Sequence, residues 1–383
     1  MTEEYEALLE GEDEVELGSG VESTTLAGLF YTGGTTGASK GVMLSHANLI
    51  ANTFHWMGHI PHEEEDRVLI MAPLFHAAGT NGVYASLWTG GAQVVLPAFD
   101  PAAMLDLVAS EGCTGTLGVP TMLSAIAEEQ LARPRDVGTL RMITHGGSPI
   151  ASGLLRRVHE AFPTTELVEI YGATELSPVA TVQRREERLL EDGRLRSCGR
   201  PIPGVDVSIL GEDGLPRPDG EIGEVTVRGP TVMQGYWKKP EQTASVLRDG
   251  RYWSGDLGYM DGEGHVYLVD RSKDMIVSGG ENVYSTEVEE VLYKHPGVLE
   301  AAVFAIPDEK WGEAVRAAVH LRPGQAEVSA EDLLAFCREH LGGYKVPKGI
   351  DLHTEPLPKS GPGKFLKRSL RAPYWEGRER AIQ

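Results

Sequence analysis

Short apolar runs alternate with segments of helical spacing along the first half of the chain. The runs have the length and composition of buried strands, and they occupy residues 68–72, 92–96, 115–119, 140–144 and 166–170. Apolar residues at helical spacing predict helices over 48–59, 83–87, 104–110 and 154–162. Strands that alternate with helices indicate an α/β domain with a mainly parallel sheet.

The pattern changes after Ile202, where polar and apolar residues alternate in pairs of short segments. Residues 205–210, 224–228 and 259–269 are separated by turn-rich sequence, which predicts a β-rich subdomain of hairpins. Beyond residue 273, helices are predicted at 286–294 and 330–341 and strands at 301–306 and 317–321. We therefore expect a large domain at 1–272 and a small α+β domain at 273–383.

The segment from Leu26 to Asn48 carries the first candidate chemistry. An apolar run at 26–31 predicts a short buried strand, and Ser45 is placed to cap a helix. Between them lie small, hydroxylated and basic residues suited to holding phosphate: Thr32, Gly33, Gly34, Thr35, Thr36, Gly37 and Lys40. The nucleotide P-loop pattern is absent. Residues 37–41 match G-x-S-x-G, but Ser39 does not directly follow the strand, which disfavours a nucleophile elbow.

Composition narrows the function further. The 383 residues are 41% hydrophobic and carry a net charge of -21, which disfavours nucleic acid or an anionic membrane as the main partner. Three distant cysteines predict a reducing cytoplasm without disulfides, and no apolar run is long enough to span a bilayer. A zinc site at His55, His59 and His62 is disfavoured because Pro61 interrupts the helix.

Three glycine-containing loops follow predicted strands, at Gly33, Gly146 and Gly172. Ligands of open α/β sheets bind at the carboxyl ends of the strands. We therefore expect these loops to converge on one site.

The sequence TGGTTGASKG at 32–41 resembles the phosphate loop of the acyl-adenylate-forming enzymes, which include acyl-CoA synthetases, luciferases and peptide-synthetase adenylation domains. Gly33 replaces the usual serine and Ser39 the usual proline. Further segments resemble the family's motifs in the family's order: YGATE at 171–175, YWSGDLG at 252–258, DRSKDMI at 270–276 with SGGENV at 278–283, and PKSGPGK at 358–364.

The resemblance implies roles around ATP. The loop with Lys40 would hold the β- and γ-phosphates, Tyr171 would stack near adenine and Thr174 would bind phosphate. Glu175 would hold Mg²⁺, a hard ion that accepts carboxylate and phosphate oxygens together. Asp256 would bind the ribose hydroxyls and Arg271 the ribose or phosphate. Gly147, Ser148 and Gly172 would also line the nucleotide site.

The same resemblance implies roles for the small domain and the acyl pocket. Lys364 would be the catalytic lysine and Lys273 the hinge, and Gly279 and Gly280 would line the path of the CoA pantetheine arm. The acyl pocket would include His76, Asn81 and Ile170. Its apolar surroundings, without Lys or Arg, favour a fatty or aryl acid over a dicarboxylate.

The implied activity is that of an acyl-CoA synthetase, closest to bacterial fatty-acid-type ligases. It would form acyl-AMP from a carboxylic acid and ATP, and then a thioester with CoA. A carrier protein as acceptor and a catalytically impaired nucleotide-binding paralogue stay open, and a homodimer is compatible with this interpretation. Residues 1–22 hold nine acidic side chains. The phosphate loop follows so soon after them that we expect the family's usual N-terminal segment to be missing.

Overall fold

A computed structural model describes residues 20–32, 39–184, 193–325, 327–360 and 363–376. Its helices are α1 (His46–His59), α2 (Ala77–Thr89), α3 (Pro101–Glu111), α4 (Pro120–Ala132), α5 (Ser152–Ala161), α6 (Pro240–Val246), α7 (Ser285–Lys294), α8 (Ala330–His340) and α9 (Lys367–Arg371).

The strands are β1 (Leu26–Thr32), β2 (Lys40–Ser45), β3 (Arg67–Ile70), β4 (Ala92–Val95), β5 (Gly115–Gly118), β6 (Met142–Gly146), β7 (Glu166–Tyr171), β8 (Thr181–Gln183), β9 (Arg200–Pro201), β10 (Asp206–Leu210), β11 (Gly223–Arg228), β12 (Gly235–Tyr236), β13 (Leu247–Arg248), β14 (Arg251–Met260), β15 (Val266–Arg271), β16 (Ile276–Ser278), β17 (Glu281–Val283), β18 (Val298–Asp308), β19 (Gly312–Leu321) and β20 (Gly349–His353).

The largest sheet has seven strands in the order β4-β3-β5-β6-β7-β8-β9. The first five of these run parallel, and β8 and β9 add antiparallel partners beyond β7. A second, antiparallel sheet joins β10, β11, β14, β13 and β15, and the C-terminal part holds a mixed sheet of β16 to β20. The predicted α/β fold with a β-rich subdomain and a small α+β C-terminal domain is confirmed.

Alternating side chains on the central strands produce two cores. On β7, Leu167 packs with Leu123 of α4 and Leu155 of α5. Its neighbour Val168 belongs to a second cluster with Trp56 of α1. Successive residues of a strand face opposite sides, so helices cover both faces of the parallel sheet.

Two local predictions need correction. The run at 26–31 forms strand β1, but this strand is not buried, since Leu26 is 39% and Tyr31 61% exposed. Among the strands that the structure describes, β1 pairs with β2 alone, at the edge of a three-stranded sheet. The second correction is α4, which the sequence analysis missed. It begins at Pro120, a residue suited to the first position of a helix because its missing N–H needs no partner there.

The N-cap at Ser45 is confirmed in detail. Its hydroxyl accepts a hydrogen bond from the Asn48 backbone N–H at 3.2 Å, and the Asn48 side chain accepts one from the Ser45 N–H at 2.9 Å. Asn48 also donates to the carbonyls of Pro230 and Val232. The start of α1 is thereby fixed to the loop before β12. Among the described helices, no segment combines the length and apolarity needed to cross a membrane.

Candidate active site

The candidate phosphate loop connects the antiparallel strands β1 and β2. Thr32 and Lys40 are direct cross-strand partners at its two ends. The predicted phosphate-binding residues between them, Gly33, Gly34, Thr35, Thr36 and Gly37, lie outside the described residues. The ammonium of Lys40 lies 4.7 Å from the centre of the Tyr236 ring. This cation–π contact places the Lys40 charge beside β12.

Glu175 lies in a single helical turn, Thr174–Leu176, that follows β7. Its side chain is buried, and Oε1 accepts a 2.7 Å hydrogen bond from the Tyr236 hydroxyl. Burial and the adjacent Glu175 charge both raise the pKa of Tyr236, so the phenol stays protonated and keeps donating. Lys40, Tyr236 and Glu175 thus form one connected group, which orients the Glu175 carboxylate.

Asp256 is buried on β14, where two different elements supply donors to its carboxylate. The hydroxyl of Tyr171, at the end of β7, donates to Oδ2 at 3.0 Å. Arg271, the cross-strand partner on β15, places Nε 3.1 Å from Oδ1. These contacts join the parallel sheet to the β-rich subdomain and hold a carboxylate at their junction.

Lys364 reaches this group from the C-terminal part of the chain. A Cβ atom placed on Gly147 would lie 3.4 Å from Lys364 Cε and 3.8 Å from Nζ, so the lysine side chain passes directly over the loop after β6. The preceding residue, Gly363, accepts a 3.0 Å hydrogen bond from the Thr121 hydroxyl at the start of α4. The lysine loop is therefore docked on the large domain.

The charges at this junction perturb one another. Burial, and then the charge of Arg271, lower the pKa of Lys364 to about 8. The charges of Asp256 and Glu175 oppose that shift. Burial also lowers the pKa of Lys273, and the charge of Arg271 lowers it further. Among these groups, the four cations Lys40, Arg271, Lys273 and Lys364 face the three carboxylates Glu175, Asp256 and Asp274. The excess of one positive charge suits a polyanionic ligand such as a triphosphate.

The glycines after β6 and β7 have steric reasons to be glycine. Gly147 adopts a φ of +81°, which L side chains rarely adopt. A Cβ atom on Gly172 would lie 1.8 Å from the Pro178 carbonyl oxygen, so the chain leaves no room for a side chain there. Ser148 follows Gly147 in the same bend and is partly buried. Both loops leave the carboxyl end of the parallel sheet, as the sequence predicted.

The three residues predicted for the acyl pocket lie in different environments. His76 caps α2 with Nδ1, which accepts from the Ala78 N–H at 3.2 Å. Burial, reinforced by the Lys364 charge, lowers the pKa of His76 to about 4, so its imidazole is neutral. Asn81 is buried against α1, where Oδ1 accepts from Asn52 at 2.7 Å. Ile170 packs against Gly146, where a Cβ atom would lie 2.3 Å from the Ile170 carbonyl oxygen.

Gly279 and Gly280 form the turn between β16 and β17, and both have positive φ, +62° and +87°. Two such residues fit a two-residue hairpin turn. The turn is exposed, and a Cβ atom on Gly279 would lie 2.6 Å from the indole of Trp311. Lys273 lies in the turn after β15, between the two sheets that carry Asp256 and this hairpin.

Two contributors to the site escaped the sequence analysis. Tyr236 is 61 residues from Glu175, and Thr121 is 242 residues from Gly363. Neither residue belongs to a spacing pattern that points to its partner. Only the tertiary fold brings each pair together.

Comparison with known proteins identifies the family. The profile of the AMP-binding enzyme family matches residues 2–237, and that of the AMP-binding enzyme C-terminal domain matches residues 287–364. A feruloyl-CoA synthase from Amycolatopsis sp is 43% identical over 344 residues, which cover 90% of this chain and 69% of that protein. A long-chain-fatty-acid–CoA ligase from Bacillus subtilis is 40% identical and covers 90% of this chain and 61% of its own length.

Solved structures agree with these relatives. ATP-bound MatB from Rhodopseudomonas palustris aligns with a TM-score of 0.84 and 33% identity, and the match covers 92% of this chain and 69% of MatB. The o-succinylbenzoate CoA synthetase from Bacillus subtilis, solved with its acyl-adenylate intermediate, also gives a TM-score of 0.84 at 33% identity. That match covers 96% of this chain and 73% of the synthetase.

The chain belongs to the AMP-binding enzyme family. The predicted superfamily and the predicted activity class, an AMP-forming acid–thiol ligase, are confirmed by these relatives. A small-molecule acid, ATP and CoA fit as the substrates of such an enzyme.

Proposed function

We propose that this chain joins a carboxylic acid to ATP, releases pyrophosphate and transfers the acyl group from AMP to CoA. The observation that carries the proposal is the position of Lys364 over Gly147, within the electrostatic influence of Glu175, Asp256 and Arg271. Cationic and anionic groups of the two parts of the chain meet there, at the carboxyl end of the parallel sheet.

The first step has an electrostatic problem, because a carboxylate must approach the polyanionic triphosphate. Lys364 would contact the developing charge at the α-phosphate, and Lys40 with the phosphate loop would hold the β- and γ-phosphates. A pKa of about 8 keeps most of the Lys364 ammonium protonated at neutral pH. Asp256 would receive the ribose hydroxyls, Tyr171 would lie against adenine, and Arg271 would hold Asp256 and reach the phosphates.

The oxygen ligands at Glu175 and Thr174 suit a magnesium ion that arrives with the nucleotide. One buried carboxylate oxygen is held by Tyr236, and Thr174 lies in the same turn. Mg²⁺ commonly takes one or two carboxylates together with substrate phosphates and waters. When bound, it would neutralise phosphate charge. Glu175 and Thr174 are the residues that would hold it.

The second step needs a different arrangement of the small domain. With Lys364 docked over Gly147, the turn of Gly279 and Gly280 is exposed. We infer that the small domain, residues 273–383, rotates about Lys273 after adenylation. The rotation withdraws Lys364 and brings the glycine turn to the site, where CoA attacks the acyl carbon.

Further parts of the proposal concern the setting of the enzyme. Two of the relatives are named as a feruloyl-CoA synthase and a long-chain-fatty-acid–CoA ligase, and these names support an aryl or fatty acid as the substrate. His76, neutral at the start of α2, is the candidate gate between this pocket and the site. We also propose that the enzyme lies in the cytoplasm and that it forms a homodimer.

Carboxylate-dependent exchange of labelled pyrophosphate into ATP tests the first step directly. Purified protein is assayed with short, medium, long and aromatic acids, with Lys364→Ala beside it and Lys294→Ala as a matched control at the exposed end of α7. We expect exchange to fall by about a hundredfold or more in Lys364→Ala and to be unchanged in Lys294→Ala. Absence of exchange with every acid, or equal exchange in both variants, contradicts the proposal.

A further inference from the structure

A cavity of about 300 Å³ lies between the parallel sheet and the helices α1 and α2. Its lining begins near the carboxyl ends of the strands, where Ala72 and Thr144 lie toward the same edge as Gly147. It ends at the opposite edge, where Asp66 and Arg141 directly precede β3 and β6. The cavity therefore runs along one face of the sheet, away from the candidate active site.

The strands β3, β5 and β6 form the floor of this cavity. Val68, Gly115 and Met142 are partners in parallel register, and they form one row across the floor. Residues in register on adjacent strands direct their side chains to the same face of a sheet. That face is toward α2, because a Cβ atom on Gly82 of α2 would lie 2.9 Å from Cγ1 of Val68. Gly115 is thus the position of this row that has no side chain.

Neither packing nor backbone conformation requires glycine at Gly115. Its φ lies outside the left-handed region that favours glycine. A Cβ atom there would lie 3.8 Å from the Met142 carbonyl oxygen, and beyond the adjacent residues no other atom of the described chain lies within 4 Å. Gly118 on the same strand differs, since its Cβ atom would lie 2.6 Å from Cε of Met71. A glycine inside a strand often marks a place where a ligand approaches the backbone closely.

The row at Gly115 lies inside the cavity and not at its end. Strand β6 rises about 3.3 Å per residue, so Met142 lies about 13 Å from Gly146 at the carboxyl end of the strand. The lining continues past this row to the opposite edge of the sheet. An acid whose carboxylate lies near Gly147 therefore ends before the row if it is short and crosses the row if it is long.

We propose that Gly115 sets the length of the acid that this chain accepts, because it leaves the floor of the cavity open for the tail. The tail lies over the backbone of β5, between Val68 and Met142. Leu117, the next residue on this face of β5, also lines the cavity. These three side chains are apolar, so the crossing part of the tail is hydrocarbon. This proposal rests on the proposed function, since it assigns the substrate class of that same site.

Gly115→Ala and Gly115→Leu fill the open space to different degrees. The wild type and both variants are compared in the pyrophosphate exchange assay over two series of acids, butanoic, octanoic and dodecanoic acid, and benzoic, cinnamic and 4-hydroxy-3-methoxycinnamic acid. We expect the wild type to favour a longer member over the shortest in at least one series. In that series, Gly115→Leu should lower kcat/KM for the longest accepted acid about tenfold or more and change the shortest little, with Gly115→Ala between.

Gly58→Leu is the matched control, because a Cβ atom on Gly58 also meets open space but lies on the exposed side of α1. It should leave the preference among the acids unchanged. Gly115→Ala should not lower Tm, since the added methyl group has room and the backbone conformation suits alanine. If Gly115→Leu fails to fold, Gly115→Ala decides by the same comparison of long and short acids.

Three results overturn the assignment of Gly115. The first is a wild-type preference for the shortest acid in both series. The second is an equal effect of the Gly115 variants on long and short acids, or no effect on either. The third is a clear loss of Tm in Gly115→Ala, which would show that the space over β5 is not open.

The two proposals fail in different ways. If no acid supports exchange in the wild-type protein, the proposed function fails and the assignment of Gly115 falls with it. If acids support exchange without the expected dependence on length, the proposed function stands and only the assignment of Gly115 is wrong.

Discussion

Arg271 and Asp256 are direct cross-strand partners on β15 and β14, with Nε of the arginine 3.1 Å from Oδ1 of the aspartate. The other carboxylate oxygen accepts from Tyr171 at 3.0 Å. Asp256 therefore has its position fixed from both sheets before any nucleotide binds. A carboxylate held in this way can accept hydrogen bonds from two vicinal hydroxyls with little loss of side-chain freedom.

Asp256→Asn tests that arrangement. The amide keeps the shape of the side chain but loses the charge that pairs with Arg271 and one acceptor oxygen. Hydrogen bonds to charged groups contribute about 1.5–3 kcal/mol, so we expect KM for ATP to rise about tenfold or more. Exchange assays over a range of ATP concentrations measure it.

Asp213→Asn is the control, because this aspartate lies in an exposed turn and pairs only locally with Arg217. An unchanged KM for ATP in Asp256→Asn would remove Asp256 from the nucleotide site. Thermal unfolding of both variants separates lost binding from lost stability.

The lowered pKa of Lys364 predicts a pH dependence. The ammonium is the form that can stabilise phosphate charge, and its pKa falls from 10.5 to about 8. We expect kcat/KM for ATP, which reports the free enzyme, to decline as pH rises through about 8. Lys364→Arg keeps its charge above that range, so whatever activity it retains should not show this decline.

The profile of kcat provides a second check on Lys364. Bound triphosphate adds negative charge near the ammonium and raises its pKa, so the decline in kcat should begin at a higher pH than that in kcat/KM. An identical decline in the wild type and in Lys364→Arg would assign the titration to another group.

The sequence was sufficient for features that depend on local chemistry. Ser45 directly precedes a segment with helical spacing of apolar residues, and this local signal predicts the N-cap that the structure contains. Strand burial depends on what covers a strand, and the apolar pattern of Leu26 to Tyr31 carries no information about that. Its prediction as a buried strand was therefore wrong.

Long-range pairs set the other limit of sequence analysis. The bonds from Tyr236 to Glu175 and from Thr121 to Gly363 join distant segments with ordinary local sequence. Family motifs located Glu175 and Lys364 because their local sequence is distinctive. Their partners have no such signature.

Tyr236→Phe should change the response to magnesium. The tyrosine hydroxyl orients Glu175 through a 2.7 Å hydrogen bond, and such supporting bonds often matter about tenfold or more for metal affinity. We expect the Mg²⁺ concentration for half-maximal exchange to rise several-fold. Tyr259→Phe, in the β-rich subdomain and stacked on Tyr267, is the matched control. A lower exchange rate with an unchanged Mg²⁺ response would contradict the role given to Tyr236.

Glu128→Gln should disturb the docking of the small domain. Glu128 of α4 bonds Arg157 within the large domain and Arg322 from the C-terminal part of the chain. Burial opposes ionisation of Glu128, but the hydrogen bond from Arg157 and the charge of Arg322 hold its pKa below its usual value. The ion pair between Glu128 and Arg322 is therefore intact at neutral pH, and it is lost as the pH falls through the lowered pKa of Glu128.

Because this pair forms with Lys364 in the site, its loss should weaken the adenylating arrangement more than the thioester-forming one. The groups are partly exposed, so we expect a modest effect, about two- to fivefold slower pyrophosphate exchange in Glu128→Gln. Thioester formation from preformed acyl-adenylate should be unchanged or faster. Glu160→Gln also removes a partner of Arg157 but leaves Arg322 paired with Glu128, so it should alter neither step. Equal slowing of both half-reactions in Glu128→Gln would show that the contact does not distinguish the two arrangements.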